Sequence, residues 1–285
     1  MTRLILTADD AGLAAPLSRR IASLLASGRL SATSILACGP AFAEAVEALR
    51  SAGVAEAGVH LCLVGGETPL SPLSTVGTLA PSGRFPGAWP AVAARVAGGR
   101  VRIAEVEREW EAQLVAIRDA GLRVTHLDSH QHLHLLPKLV PVALALARRF
   151  GVPFVRAPRA DDPAAVGAPA GTAGRARARL LSLFGAAARR SIRVAGLPEP
   201  PRVLGLAEAG RMTLPRWKAL VAALPRDGTF EVVLHPGVDD PEAERRYPWG
   251  YRWEEESAAL EGEELGLLFA SRGVETVPFS LLASS

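Results

Sequence analysis

The sequence is short of aromatics, cysteine and lysine, and the first two shortages each exclude something. Aromatic residues make up 5% of the 285 positions, and no stretch interleaves them with basic side chains, so nucleic-acid binding is not expected. Two cysteines occur, Cys38 and Cys62, each inside an apolar run. They read as small buried hydrophobes, not as a disulfide or a ligand pair. Two lysines stand against 30 arginines, a bias that reads, with the abundant Ala and Gly, as the mark of a GC-rich genome. No run of 18 uncharged apolar residues is present, which argues against a transmembrane helix. The opening MTRLILTADD turns acidic too soon for a signal peptide, so the cytoplasm is the expected location. The first strand is followed by no GxGxxG or Walker-type loop, and a nucleotide fold therefore lacks its signature.

Histidine is distributed unevenly. Four of the six fall within nine residues, His126, His130, His132 and His134, in THLDSHQHLHLLP. The other two, His60 and His235, each close a short apolar run, as does the pair Asp9–Asp10 in RLILTADD. Metal-capable side chains at the ends of expected strands point to a metal-dependent site.

Strand-like and helix-like segments alternate along the chain. Strands are expected at Leu4–Ala8, Ala32–Cys38, Gly58–Leu63, Arg123–Leu127, Pro153–Arg156, Phe230–Leu234 and Val274–Pro278. Between them lie helices at Leu13–Ser27, Ala41–Ser51, Trp89–Ala97, Ile103–Ala120, Pro137–Phe150, Pro215–Leu224 and Glu254–Ser271, the one at Ile103–Ala120 strongly charged on one face. Such βα repetition predicts an α/β fold with a mainly parallel sheet, here a single TIM-like β/α barrel over residues 1–285, closed or nearly so. The Gly/Pro-rich stretch from Gly65 to Pro90 is long for a connection and suggests a lid or substrate loop. A helical insertion is expected near 160–200. Its first half is an Ala/Gly/Pro-rich linker; its second half, 175–193, carries six arginines and no acid. A solvated surface helix is one reading, and peripheral contact with anionic lipid, or capping of a lipid-bearing substrate, is the other.

In a β/α barrel the C-terminal strand ends converge on one rim. Four strand ends here deliver Asp9 and Asp10, His60, Asp128 and His130, and His235 to that rim. Two imidazoles and a carboxylate hold a divalent ion and leave positions open, while a spare carboxylate serves as base and a separate histidine as acid. Other readings remain open. Tandem aspartates after a strand also cap helices, and His126, alternating with Val124 and Asp128, could simply pack inside the sheet. His132 and His134 cannot both join His130 as direct ligands, and Arg156 suits either a sugar contact or an ion pair with a rim carboxylate.

These residues also carry a resemblance. TADDAGL, GVHLCL, THLDSHQHLHLLP and EVVLHPG resemble, in order, four motifs of the YdjC-like carbohydrate deacetylases. The resemblance implies a β/α barrel and metal-dependent removal of an N-acetyl group from an amino sugar. Carried over by motif position, Asp10, His60 and His130 would hold one divalent ion, with Zn or Mg favoured. Asp9 would be the general base and His235 the acid, leaving Asp128, His132, His134 and Arg156 to support the metal site or bind substrate. VLGLAEAGRMT and the insertion resemble the hopanoid-biosynthesis branch, although Glu199–Pro200–Pro201–Arg202 stands where that branch has an Asp. The expected partner is thus an N-acetylated amino sugar, soluble or lipid-linked, and pairing into a homodimer is a further expectation. The rival readings are a metallo-phosphoesterase, which needs more acids for a second ion, and a catalytically silent sugar- or lipid-binding barrel.

Overall fold

The computed structural model describes residues 1–159 and 172–283. Its centre is a parallel sheet. Strand β1 (Thr2–Ala11) leads through α1 (Ala15–Ala26) to β2 (Ala32–Ile35), and through α2 (Phe42–Ser51) to β3 (Glu56–Leu61). After a long loop come α3 (Trp89–Ala97), α4 (Ile103–Asp119), β4 (Arg123–Ser129), a 3-10 turn over His130–Leu135, α5 (Val140–Phe150) and β5 (Phe154–Val155). Helix α6 (Thr172–Val194), β6 (Arg202–Leu204), α7 (Leu214–Ala223) and β7 (Gly228–Leu234) follow. The chain continues through α8 (Pro241–Arg246), α9 (Trp253–Glu261), α10 (Glu263–Arg272), β8 (Val274–Thr276) and α11 (Phe279–Ala283). The strand order is β5-β4-β3-β2-β1-β7-β6, with β8 pairing the start of β1, and every ladder is parallel.

Alternation along each strand sorts the side chains. Leu4, Leu6 and Ala8 of β1, Val59 of β3, Leu127 of β4, and Phe230, Val232 and Leu234 of β7 join the main core shared with the helices. Ile5 faces the other way and meets Phe154, Val277 and Phe279 in a small cluster at the bottom of the sheet's concave side. There the Phe279 ring stacks on His126 at 4.0 Å. His126 thus packs inside the sheet, the simpler of its two sequence readings.

The sheet must curl, because the exit of one edge strand touches the strand next to the opposite edge. Arg156, just after edge strand β5, donates from Nε to Glu231 Oε1 of β7 at 3.0 Å. Laid flat, β5 and β7 would stand five spacings apart, about 24 Å. The result is an open, curled α/β sheet and not a closed barrel: among the described residues no ladder joins β5 to β6. Both edges are too short, two and three residues, to pair along a seam. The expected linker in the insertion falls largely on 160–171, outside the described residues. Its arginine-rich half does form a helix, docked on the exit of β5. Arg189 is buried and donates to Ala157 O, Pro200 O, Pro201 O and Glu199 Oε1. A Cβ on Gly185 would lie 2.1 Å from Pro158 O. At least one of the six arginines is therefore a clamp for the chain beside β5.

Three local expectations change. The helix expected from Pro137 begins at Val140, because the 3-10 turn occupies the preceding residues. The single helix expected over Glu254–Ser271 breaks at Gly262, which is extended (ψ 136°) and caps both α9 and α10. The expected lid is tied down: buried Glu109 accepts the backbone N–H groups of Leu70 and Ser71, and Glu105 those of Thr78 and Leu79. The charged face of α4 thus holds the loop. No helix among the described residues is long and apolar enough to cross a membrane.

The His126 ring lies over Gly58 of β3, where a Cβ would meet its Nε2 at 2.3 Å. Phe279, stacked on the same ring, leaves it no room to retreat. Gly58→Ala should therefore destabilise the fold by about 1–3 kcal/mol through overpacking. Urea unfolding checks this, and an unchanged midpoint would refute it.

Candidate active site

The upper end of the curled sheet holds a pocket of about 300 Å³, lined by Asp9, Asp10, His60, Ser129, His130, Gln131, His132 and His235 together with Trp89, Trp249 and Tyr251. Asp10, His60 and His130 each offer an atom within 4.8 Å of the others. Asp10 Oδ1 lies 2.8 Å from His130 Nδ1 and 3.1 Å from His60 Nε2, and the two imidazole nitrogens are 3.4 Å apart. His60 Nδ1 sits 2.8 Å from Asp128 Oδ1, a carboxylate that can only accept when ionised, so this nitrogen carries the proton. In neutral His60 the Nε2 lone pair then points at the lone pairs of Asp10. That arrangement calls for a positive charge between them, either an extra proton or a metal ion. A histidine ligand whose far nitrogen donates to a carboxylate is the arrangement metal sites use to fix its tautomer.

The nearby charges set the directions of the pKa shifts. Desolvation opposes ionisation of Asp10, but His130 and His60 outweigh it and hold its carboxyl well below the usual range. Burial works against protonation of His60 and His130, yet Asp128 and Asp9 raise the first and Asp10 raises the second. With no metal ion the cluster therefore keeps protons, and a bound cation must displace them.

Beneath it Asp9 pairs with Arg156 through both oxygens, at 2.6 Å and 2.8 Å, and accepts from Ser34 Oγ at 3.2 Å. A carboxylate has about four acceptor sites. Three are taken, and the fourth, on Oδ2, is left. The Arg156 guanidinium also reaches Asp128 Oδ2 at 2.8 Å and Glu231 Oε1 at 2.6 Å, all of it buried. The geometry is that of the ion-pair expectation for Arg156, a buried guanidinium among three carboxylates. Two other donor groups, Asp9/His60/Asp128 and His126/Asp128/Glu231, share these acids. Arg156 already supplies the cation there, so the second ion that a phosphoesterase reading needs meets an occupied place.

The remaining histidines separate. His235 Nε2 stands 3.9 Å from Asp10 Oδ2, and its backbone N–H donates to buried Glu256 at 2.7 Å. Desolvation lowers the His235 pKa. His134 donates from Nε2 to Arg156 O at 2.8 Å, and Nδ1 lies 2.5 Å from the Ser129 hydroxyl, so both nitrogens are spent away from substrate. His132 lines the mouth. It and Gln131 have φ of 57° and 54°, values that cost free energy in residues other than glycine. Asp10 does too, at 68°. No side-chain cap is involved, since α1 is preceded by Ala14 and has no capping bond. The helix-cap reading of the tandem aspartates is therefore set aside.

Sequence reasoning missed Ser34, Glu231, Glu256 and the aromatic wall. The last had a signal: YPWGYRW at 247–253 holds both tyrosines and two of the five tryptophans of an aromatic-poor chain.

A profile of YdjC-like proteins matches residues 3–271. The chain belongs to the YdjC-like family. Its curated relatives include a carbohydrate deacetylase of Enterococcus faecalis, 34% identical over 56% of this chain and 60% of that protein. One from Listeria monocytogenes is 33% identical over 59% of this chain and 66% of its own length. A human carbohydrate deacetylase is 35% identical over 55% of this chain and 48% of its own. The alignments thus span about half to two thirds of these relatives. A crystal structure from Enterococcus faecalis V583, of a protein whose name assigns it to cellobiose-phosphate cleavage, superposes with a TM-score of 0.77 at 25% identity. It covers 99% of this chain and 98% of that one.

Burial of neutral His134 has a consequence for acid stability. Desolvation lowers its pKa from 6.5 to about 4. Between these values the unfolded chain binds a proton that the folded chain does not, so stability falls as pH drops from 6.5 to 4. The stability gap between wild type and His134→Gln should close by roughly 3 kcal/mol over that range. Denaturant unfolding at both pH values measures it, and a gap independent of pH would mean that His134 is already charged in the folded protein.

Proposed function

We propose that this chain is a metal-dependent hydrolase that removes an N-acetyl group from an amino sugar and releases acetate. One observation carries the reading: two imidazoles and a carboxylate converge on a pocket beside a second carboxylate with one free acceptor site and a separate histidine. The names of the curated relatives agree with it. Asp10, His60 and His130 would hold one divalent ion, Zn or Mg. Such an ion would supply Lewis acidity, favouring ionisation of water and charge on the acetyl oxygen.

The chain's own groups do the rest. The acetamide lies in the pocket with its sugar against Trp89, Trp249 and Tyr251. Asp9, held by Arg156, takes a proton at Oδ2 as water adds to the acetyl carbon. His235, one position past the Ala8–Leu234 pairing on neighbouring strand β7, faces the same space, and its lowered pKa makes its protonated form a strong donor. The C–N bond breaks as the nitrogen takes that proton, and acetate and the free amine leave.

A second cavity favours a substrate with an apolar attachment, lipid-linked or aryl. About 160 Å³ in size, it shares Trp89, Gln131 and His132 with the first and is otherwise lined by Leu133, Leu136, Leu180, Leu181 and Phe184. Helix α6 thus brings leucines to the substrate side, in keeping with the lipid-bearing expectation for this segment.

Two measurements test these statements. Asp9→Asn should lower deacetylation of an N-acetylglucosaminide by about 10²–10⁴-fold while metal content stays at one ion per chain. Released acetate and metal analysis report the two quantities, and full activity would remove Asp9 from the base role. Phe184→Ser should raise KM for the octyl glycoside of N-acetylglucosamine and leave the methyl glycoside unchanged. Equal effects on both would sink the apolar subsite but not the deacetylase reading.

A further inference from the structure

The segment that brings Trp249 and Tyr251 to the active site also walls a second, chemically different pocket. Gly250 and Arg252 join Arg211, Thr213 and Arg216 around about 390 Å³ of space. Three of its five lining residues are arginines, and none is acidic. The Arg211 side chain makes no hydrogen bond or ion pair among the described residues, and it lies beside Gly250, where a Cβ would sit 3.5 Å from its Nη2. Arg252 has one acidic partner, exposed Glu255 at 3.0 Å. Arg216 is half-buried and is attracted by Glu208 and Glu256. Burial pushes both of those carboxyls up, Glu256 to about 7, which weakens their hold on the guanidinium near neutral pH. Thr213 directly precedes α7, and its hydroxyl makes no capping bond, so a neutral donor stands on the same wall.

Guanidiniums around one concavity repel each other unless an anion joins them, and their planar forks match tetrahedral oxyanions through paired N–H···O bonds. We propose that this pocket is a binding site for a phosphate-sized oxyanion, held by Arg211, Arg216 and Arg252 with the Thr213 hydroxyl. It lies next to the catalytic wall. The Arg252 backbone N–H donates to Gly210 O at 2.7 Å, and Gly210 packs so closely on Tyr251 that a Cβ there would be 2.1 Å from the ring. The anion therefore arrives either as part of the substrate, on a phosphorylated amino sugar, or as free phosphate.

The test uses the metal-loaded full chain and inorganic phosphate at constant ionic strength, with chloride as the control. Calorimetric titration should show phosphate binding that weakens at least about tenfold in Arg211→Gln/Arg252→Gln. Arg50→Gln, a substitution far from the pocket in sequence and in fold, should leave it unchanged. Phosphate held by the metal centre alone would bind the double variant as tightly as wild type, and that result overturns the proposal, as does a response no larger than that to chloride. A second arm identifies the source. If KM favours the phosphate monoester of an N-acetyl amino sugar over the unmodified sugar, and the double variant loses that preference, the anion belongs to the substrate. Phosphate binding without such a preference assigns it to free anion. Calorimetry needs no turnover, so failure of the deacetylase reading and failure of this site are separate results.

Discussion

The buried guanidinium of Arg156 is the contact on which the rest of the structure depends. It leaves β5 at one edge of the sheet and meets Asp9 of β1, Asp128 of β4 and Glu231 of β7. The same contacts hold the sheet curled and fix the floor of the pocket. Burial raises the Glu231 pKa against the pull of Arg156, whereas Arg156 and His60 keep Asp128 ionised. Asp9, Asp10 and Asp128 outnumber the one guanidinium, and without a metal ion protons on His60 and His130 offset the excess. A divalent ion held by Asp10, His60 and His130 would neutralise it instead. A buried charge without its partner is strongly destabilising, so the pocket and the fold are parts of one charge balance.

Much of this was legible in the sequence because strand ends are legible. Short apolar runs closing in Asp, His or Asp-x-His place those residues at one end of a parallel sheet whatever its curvature. The parts that could not be read depend on where a side chain points after the strand stops. His126, His130, His132 and His134 look alike in sequence, yet His126 packs below the site, His130 reaches Asp10, His132 lines the mouth and His134 binds a backbone carbonyl. The 3-10 turn decides among the last three, and two left-handed residues inside it, Gln131 and His132, break the period-two spacing. Glu231 escaped notice in an apolar strand, although its two-residue alternation with Val233 and His235 marks it as facing inward. The barrel expectation failed at one seam, because β5 and β6 are too short to pair and strand length is the least readable property of an apolar run.

Charge on a helix face also proved a poor guide to exposure. Glu105 and Glu109 belong to the helix expected to be strongly charged on one face, and they are buried acceptors for the backbone of the loop after β3. Buried Glu67 then accepts from the Tyr247 hydroxyl and from Arg246, joining that loop to the segment bearing Trp249 and Tyr251. Three carboxylates thus organise a loop without regular ladders of its own. A loop with so many unpaired backbone N–H groups needs buried acceptors to pack against protein.

The adjacent aspartates illustrate how a strand can deliver two side chains to one place. Regular alternation would send Asp9 into the curl of the sheet and Asp10 out toward the helices, where a carboxylate has no partner. Between Ala8 and Ala11 the register with β2 slips, and Asp10 takes a left-handed backbone. A bulge of this kind re-aims one residue, and here it turns the Asp10 carboxylate to the same side as Asp9. Gly12 makes it feasible: at φ 100° it passes so close to Leu36 that a Cβ would sit 2.7 Å from its carbonyl oxygen. The strain at Asp10 is offset by its contacts with His60 and His130. Each aspartate is then free to do what the other cannot, one bound to a guanidinium with a single acceptor site left, the other facing two imidazoles.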